Sequence, residues 1–96
     1  MELFIFARFR AREGKEAELA ALMAKQVPFV PTEPGCLMTN AYRSIRDPRL
    51  FFIHSRWVDD AAFEAHAAHP NTVQFIERAE ALIEHPLDVT RSRPLL

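Results

Sequence analysis

The chain has 96 residues, 49% of them hydrophobic, and a formal net charge of −1. This length fits one domain over residues 1–96, and a charge so close to zero provides no general attraction to nucleic acid. The single cysteine, Cys36, excludes an internal disulfide framework, and the lack of a signal-peptide pattern or a ~20-residue apolar run favours a soluble cytoplasmic protein without a membrane partner.

The first part of the chain predicts a strand followed by a helix. Residues Leu3–Arg10 are rich in β-forming residues, and apolar side chains occupy both faces where this strand begins. Residues 15–29 place leucine, methionine and valine at helical spacing, with charged residues on the other side. We expect Pro28 and Pro31 to end this helix and residues 32–35 to form a loop.

The second part predicts a β-hairpin, two helices and a last strand. Residues 36–45 and 50–58 have strand character, and turn-forming residues join them. Asp59 can cap a short helix over residues 60–68, and Pro70 breaks it. Asn71 and Gln74 resemble the capping box of a second helix that runs to residue 83. A final strand follows at 87–92, and the remaining residues can form an arm.

This β-α-β-β-α-β order predicts an α+β, ferredoxin-like fold: a four-stranded antiparallel sheet with helices on one face. The other face of such a sheet is open. The first strand is nevertheless apolar on both faces, and so is the third, which contains Phe51, Phe52 and Ile53. Because an open apolar face is a partner-binding surface, we expect a homodimer that forms through the sheet face.

Several short segments resemble the family of antibiotic biosynthesis and quinol monooxygenases. In chain order they are Glu33-Pro-Gly-Cys-Leu, Tyr42-Arg43-Ser44, Asp47-Pro48, Arg56-Trp57, Ala62-Phe63-Glu64-Ala65-His66 and Pro70. The resemblance extends over nearly the whole chain and implies a dimeric α+β barrel with one apolar pocket per subunit, between the sheet and the helices. It also implies oxidation of electron-rich aromatic quinols or polyols by O₂ without a flavin, metal or heme cofactor.

The resemblance also implies roles for individual positions. Tyr42 and Trp57 match pocket residues of the polyketide-oxidising members, and His66 matches a histidine that is common in the family. Two positions depart from the pattern. Ile53 stands where the polyketide-oxidising members have asparagine, and Asn71 stands where many relatives have histidine. An apolar residue at position 53 also disfavours the heme degradation that other relatives perform.

Three side chains are therefore the candidates for catalysis. His66 can remove a proton from a phenolic hydroxyl near neutral pH. Tyr42 can hydrogen-bond a substrate carbonyl or take part in proton transfer. Trp57 can pack a planar ligand and donate its N–H to a ligand oxygen. Each also has a simpler interpretation, as a packed histidine, an edge tyrosine or a core tryptophan.

Three apolar side chains are the candidates for substrate binding. Strand parity places Phe51 and Ile53 on the same face as Trp57. Phe63 and His66 share one face of a helix because they are three residues apart. Together these positions predict an apolar wall for a small aromatic substrate.

Neither a metal nor a phosphate-bearing cofactor is expected. His66 and His69 are three residues apart, but no cysteine or nearby carboxylate completes a ligand set. Gly14 and Gly35 are the only glycines, too few for a phosphate-binding loop. Cys36 is interpreted as a small buried hydrophobic residue.

The sequence thus favours a cofactor-independent monooxygenase that oxidises a small quinol, phenol or polycyclic substrate with O₂. The alternative is a non-oxidative relative, either an isomerase or a dimer that binds a small molecule. The set of Tyr42, Trp57 and His66 favours the oxidative reaction, whereas the apolar Ile53 favours the alternative. The roles of His69, Asn71 and the C-terminal arm stay open.

Overall fold

The computed structural model describes residues 1–96, and its elements follow the predicted order. Four strands and three α-helices form the ferredoxin-like α+β fold, which confirms the fold prediction. None of the helices combines the length and apolar character that a membrane crossing requires. In chain order the elements are β1 (Leu3–Arg10), α1 (Glu16–Gln26), a 3₁₀ helix (Val27–Thr32), β2 (Cys36–Arg43), β3 (Leu50–Trp57), α2 (Asp60–Ala68), α3 (Pro70–Glu80) and β4 (Asp88–Ser92).

The sheet is antiparallel, with the strand order β2-β3-β1-β4. β1 lies inside the sheet, with Leu3 opposite Trp57 of β3 and Phe4 opposite Ser92 of β4. Successive side chains of a strand point to opposite faces, so the register fixes which residues meet the helices. One face of the sheet is covered by helices and the other is open, as predicted.

The covered face of β1 carries its odd-numbered side chains, which are all buried: Leu3, Ile5, Ala7 and Phe9. A larger cluster packs α1 and α3 against the sheet around Phe9, Leu19 and Ile83. A smaller cluster contains Leu3, Ile5, Val30, Trp57 and Phe63. Burying an aliphatic or Phe side chain of this size contributes roughly 1.5–3 kcal/mol, so these clusters dominate the stability of the fold.

Several helix and strand ends differ from the predicted ones. α1 ends at Gln26 rather than near residue 29, and the chain continues into the 3₁₀ helix. Pro28 lies in the first turn of that helix, where N–H groups need no partner, and Pro31 lies inside it. α3 begins at Pro70 rather than Asn71. Its cap is His69, whose Nδ1 accepts a hydrogen bond from the backbone N–H of Asn71 at 3.0 Å. The predicted Asn71–Gln74 capping box is therefore wrong: Pro70 takes the first helical position, which suits its fixed φ and missing donor.

Two further ends are shorter than predicted. β2 ends at Arg43 because the hydroxyl of Ser44 accepts hydrogen bonds from the backbone N–H groups of Arg46 and Asp47, which begins the turn. α3 ends at Glu80 rather than residue 83. Ile83 instead forms an isolated bridge with Ala11.

A charge cluster joins three distant segments at one end of the sheet. Arg10 of β1 donates to Asp47 in the hairpin turn at 3.0 Å and to Glu84 after α3 at 3.0 Å, and Arg49 also contacts Glu84. The backbone N–H of Arg49 and then the Arg10 side chain lower the pKa of Asp47 below its ordinary value. Partial desolvation acts to raise the pKa of Glu84, but the charges of Arg10 and Arg49 outweigh it and lower that pKa as well.

Candidate active site

A small apolar cavity lies between the sheet and the helices α2 and α3. Its volume is about 100 Å³, and ten of its thirteen lining residues are hydrophobic. The three polar lining residues are Ser55, His66 and Thr72. A second cavity of about 50 Å³ shares these three residues with the first, together with Ile53 and Phe75. Polar groups are thus concentrated where the two cavities meet, as in binding sites that orient a mainly apolar ligand.

His66 lies on α2, which Asp59 caps by accepting a hydrogen bond from the N–H of Ala62 at 2.9 Å. The Nδ1 atom of His66 lies 2.9 Å from Oε1 of Glu33, and both side chains are about 15% exposed or less. An ionised carboxylate only accepts hydrogen bonds, so this contact requires the proton on Nδ1. Thr72 Oγ1 lies 3.3 Å from the same nitrogen, while Nε2 has no protein partner.

Trp57 lies beneath His66 and supports it. The ring centroids of the two residues are 4.6 Å apart, and Phe63 meets Trp57 edge-on with 5.9 Å between centroids. Trp57 is completely buried, and its Nε1–H donates to the hydroxyl of Ser55 at 2.9 Å. Trp57 is not among the cavity-lining residues. Its predicted donor is therefore already used within the protein, and the Trp57 ring packs against His66.

The structure does not bring Tyr42 and Phe51 to this cavity. Tyr42 lies opposite Phe52 in the sheet, which places its side chain on the open face, half exposed. Phe51 is buried on the covered face, and the guanidinium of Arg43 lies 5.0 Å from its ring centroid. Both residues border a separate groove of about 310 Å³ beside α1. The predicted grouping of Tyr42 with Trp57 and His66 fails because alternate strand residues face opposite ways.

Ile53 and Phe63 line the cavity as the sequence predicted. Ile53 makes the wall apolar at the position where polyketide-oxidising relatives have asparagine. The guanidinium of Arg91 in β4 lies 5.0 Å from the ring centroid of Phe63 and also pairs with Glu64. These contacts tie α2 to β4, because a cation over an aromatic face is attracted to it.

Residues 3–78 match the model of a protein family described as antibiotic biosynthesis monooxygenase. The chain belongs to the antibiotic biosynthesis monooxygenase family. This confirms the resemblance on which the sequence prediction relied. The family includes monooxygenases, and the match extends over β1 to α3, the elements that build most of the cavity.

Solved structures share the fold over nearly their whole length. Rv0793 from Mycobacterium tuberculosis is similar with a TM-score of 0.91 and 23% identity, covering 99% of this chain and 96% of that one. PA3566 from Pseudomonas aeruginosa has a TM-score of 0.89 and 26% identity, covering 99% and 95%.

A curated relative is also similar over most of this chain. The uncharacterized protein sll1783 from Synechocystis is 22% identical over 87 residues, which is 91% of this chain. The chain spans only 59% of the length of that relative.

Three polar residues of the site were not predicted from the sequence: Ser55, Glu33 and Thr72. Ser55 has the same strand parity as Trp57, which could have indicated it. Glu33 belongs to the Glu-Pro-Gly-Cys segment, but no periodicity relates it to His66, 33 residues away. Thr72 is buried on α3 and gave no signal of its own.

The other histidines and the cysteine have structural contacts. His54 lies on the open face, stacked on Phe6 with 4.4 Å between centroids. His85 accepts a hydrogen bond from the backbone N–H of Arg10 at 2.9 Å. Cys36 is partly buried, with Sγ 3.3 Å from the hydroxyl of Thr39. No group of three or more His, Cys, Asp or Glu side chains is arranged to hold a metal ion.

Proposed function

We propose that residues 1–96 act as one domain, a cofactor-independent monooxygenase that oxidises a small quinol or phenol with O₂. The observation that carries the proposal is His66, whose Nδ1 faces the Glu33 carboxylate and whose Nε2 is unpaired beside an apolar cavity. An imidazole in this state is a general base, and removal of a phenolic proton is the step that makes an aromatic ring reactive toward O₂.

The proposed reaction begins when Nε2 of His66 accepts a proton from a ring hydroxyl. The O–H bond breaks, an N–H bond forms, and the imidazolium is paired with the Glu33 carboxylate group. The substrate anion then transfers an electron to O₂, and recombination forms the C–O bond of a peroxide. The peroxide anion takes the proton back from Nε2 of His66, which restores the base. Water then leaves, formed from the outer peroxide oxygen, its proton and the hydrogen of the same ring carbon, and the product is a hydroxyquinone from a quinol or a quinone from a phenol. One oxygen atom enters the product and the other enters water, so the substrate supplies all the electrons.

The lining of the cavity favours an uncharged ring as substrate. The wall formed by Ile53, Phe63 and Phe75 offers dispersion contacts and no charge. The two adjacent cavities share five lining residues, and their volumes of about 100 and 50 Å³ together match in scale the roughly 150 Å³ cavity that binds benzene. A single ring therefore suits this site better than a polycyclic substrate.

The same proposal includes a homodimer through the open sheet face. Phe6, Tyr42 and Phe52 are each more than a third exposed on that face. The sheet register places Tyr42 directly opposite Phe52, and Phe6 stacks on His54 in the next pair of strands. The sheet face of a second copy of this chain is a complementary surface for such a patch. A twofold interface joins the same surface of both subunits, so the two apolar faces cover each other.

A non-oxidative reaction is the second candidate. Two observations favour it: Ile53 supplies no polar group, and Tyr42 lies on the other face of the sheet. His66 would then move a proton between two carbon or oxygen atoms of the ligand without O₂. The cavity and the base are the same in both candidates, so the consumption of O₂ is what separates them.

Oxygen uptake with a panel of single-ring and fused-ring quinols tests the proposal. We expect uptake of one O₂ per product with single-ring substrates, slower uptake with fused rings, and no loss of rate after treatment with a chelator. Product formation that proceeds equally under nitrogen would establish the non-oxidative candidate. Activity that follows the removal and return of a metal or flavin would contradict the cofactor-independent reaction.

A further inference from the structure

Glu33 is an acidic residue with a side chain only 14% exposed, held by a tight turn between the 3₁₀ helix and β2. The backbone N–H of Cys36 donates to the carbonyl of Glu33 at 3.2 Å, with Pro34 and Gly35 between them. Gly35 has φ +82°, so Pro34 and Gly35 fit the central positions of a type II turn. The turn fixes the backbone from which the Glu33 side chain extends.

The same turn is pressed against α2. A Cβ atom on Gly35 would lie 2.5 Å from Cβ of Ala62, and the carbonyl of Gly35 accepts a hydrogen bond from the N–H of Val58 at 2.9 Å. Ala62 and His66 are four residues apart and share one face of the helix. Docking of the turn on Ala62 therefore brings Glu33 to His66 one helical turn further along.

The contact decides which nitrogen of His66 carries the proton. A neutral imidazole has two tautomers, and a hydrogen bond at one ring nitrogen selects between them. The carboxylate of Glu33 accepts at 2.9 Å and thereby selects the Nδ1–H form. Nε2 then keeps its lone pair. Packing against the tilted ring of Trp57, with 4.6 Å between centroids, limits rotation of the His66 ring.

We propose that Glu33 is a positioning residue that holds His66 in the Nδ1–H tautomer, so that Nε2 is the atom that accepts a hydroxyl proton from the ligand. Its effect on rate rests on the proposed function, but its effect on the tautomer does not. Glu33 lines neither cavity, so it acts through His66 and not by contact with the substrate. When Nε2 of His66 takes up a proton, the Glu33 carboxylate lies beside the new positive charge, 2.9 Å from Nδ1.

Nitrogen-15 NMR of the four histidines in the intact protein tests the tautomer directly. The His66 signals are identified by their absence in His66→Ala. We expect Nδ1 of His66 to carry the proton in the wild-type chain, and we expect that preference to be lost in Glu33→Ala. Glu77→Gln, which removes an exposed acid from α3, should leave the signals unchanged. A wild-type proton on Nε2, or an unchanged tautomer in Glu33→Ala, would overturn the proposal.

Steady-state oxygen uptake provides the second measurement. Glu33→Ala and the isosteric Glu33→Gln should each lower kcat by at least ~10-fold, up to the ~10²-fold scale of a positioned base. KM should stay within about twofold, because Glu33 does not touch the substrate. Glu33→Gln keeps the volume of the side chain, but its amide can donate to Nδ1 as well as accept from it and so no longer selects the Nδ1–H form. It decides the matter if Glu33→Ala fails to fold. Unchanged kcat in Glu33→Gln with an altered tautomer would overturn the positioning role.

A wild-type chain that consumes no O₂ with any quinol refutes the proposed function alone, and the NMR result still decides the role of Glu33.

Discussion

The four histidines differ in what their ring nitrogens contact. His54 and His85 each have a ring nitrogen beside a backbone carbonyl, and His69 caps α3. His66 is the one histidine that meets a carboxylate, and the one that lines the cavity. These contacts, rather than the residue type, distinguish a candidate base from three structural histidines.

Substitution of His66 is the most direct residue-level prediction. His66→Ala should lower the rate of O₂ uptake at neutral pH by about 10²-fold or more, the usual contribution of a positioned base. The loss should shrink at high pH, where a phenolic substrate ionises without help. The rate is measured from pH 6 to 10 with one saturating quinol.

A matched variant controls for the loss of any histidine. His69→Asn removes an exposed histidine from the junction between α2 and α3 and keeps a side chain that can cap α3. Its rate should equal that of the wild type. A His66→Ala rate within about twofold of wild type, far below the scale of a positioned base, would make His66 a packing residue.

The sequence was sufficient to place some site residues and not others. Strand parity and helical spacing are local rules, and they placed Ile53 and Phe63 correctly in one wall. Tyr42 required the register between β2 and β3, which depends on the geometry of the hairpin turn rather than on the strand itself. The Glu33–His66 contact joins residues 33 apart across a turn and a helix, and no periodic pattern encodes such a contact.

At the level of elements, order and type were predictable because the hydrophobic period changes between strand and helix. The bounds of α2 were predicted as observed, since Asp59 caps it and Pro70 follows closely. The 3₁₀ helix was missed because prolines that end an α-helix do not exclude a 3₁₀ helix. Pro28 lies in its first turn, where no N–H donor is needed, and Pro31 lies inside it. Element ends thus depend on caps and turns that several residue types can provide.

Gly35 and Gly14 provide a matched test of how the turn docks on α2. Both have φ +82°, but a Cβ atom would collide with Ala62 at Gly35 and would meet nothing within 4 Å at Gly14. Gly14→Ala should therefore cost about 1–2 kcal/mol of backbone strain. Gly35→Ala should cost about 1–3 kcal/mol more because of the clash. Urea unfolding of both variants measures the difference. Equal losses would show that the turn does not press on α2.

At the level of the whole molecule, the charge cluster around Arg10 predicts acid sensitivity. The pKa values of Asp47 and Glu84 are lowered in the folded chain, so the unfolded chain binds protons first as the pH falls. The stabilisation is complete above the ordinary carboxyl pKa values and is lost as the pH falls through the lowered ones, from about pH 5 downward.

Asp47→Asn should flatten the dependence of the unfolding free energy on pH between 5 and 3. Asp88→Asn, an exposed aspartate outside any ion pair, should leave the slope as it is. Parallel curves for wild type and Asp47→Asn would contradict the prediction.

The open sheet face predicts the assembly state. Sedimentation equilibrium at micromolar concentration should show twice the chain mass of 11.0 kDa. Phe6→Asp should shift the protein toward monomer, because it places a charge in the centre of the apolar face. Val73→Asp changes an exposed valine on α3 and should remain dimeric. A wild-type protein that sediments as a monomer, or two variants with equal mass, would remove the dimer from the proposal.

The strand order has a consequence for how the chain acquires its structure. β1 is made first but lies between β3 and β4, and Phe4 pairs with Ser92, 88 residues later. Contacts so distant in sequence require closure of nearly the whole chain, which slows folding relative to a protein of similar size with local contacts. During synthesis, one edge of β1 therefore stays unpaired until β4 has left the ribosome. An unpaired apolar edge can recruit another chain, so the nascent chain is open to such pairing until β4 emerges.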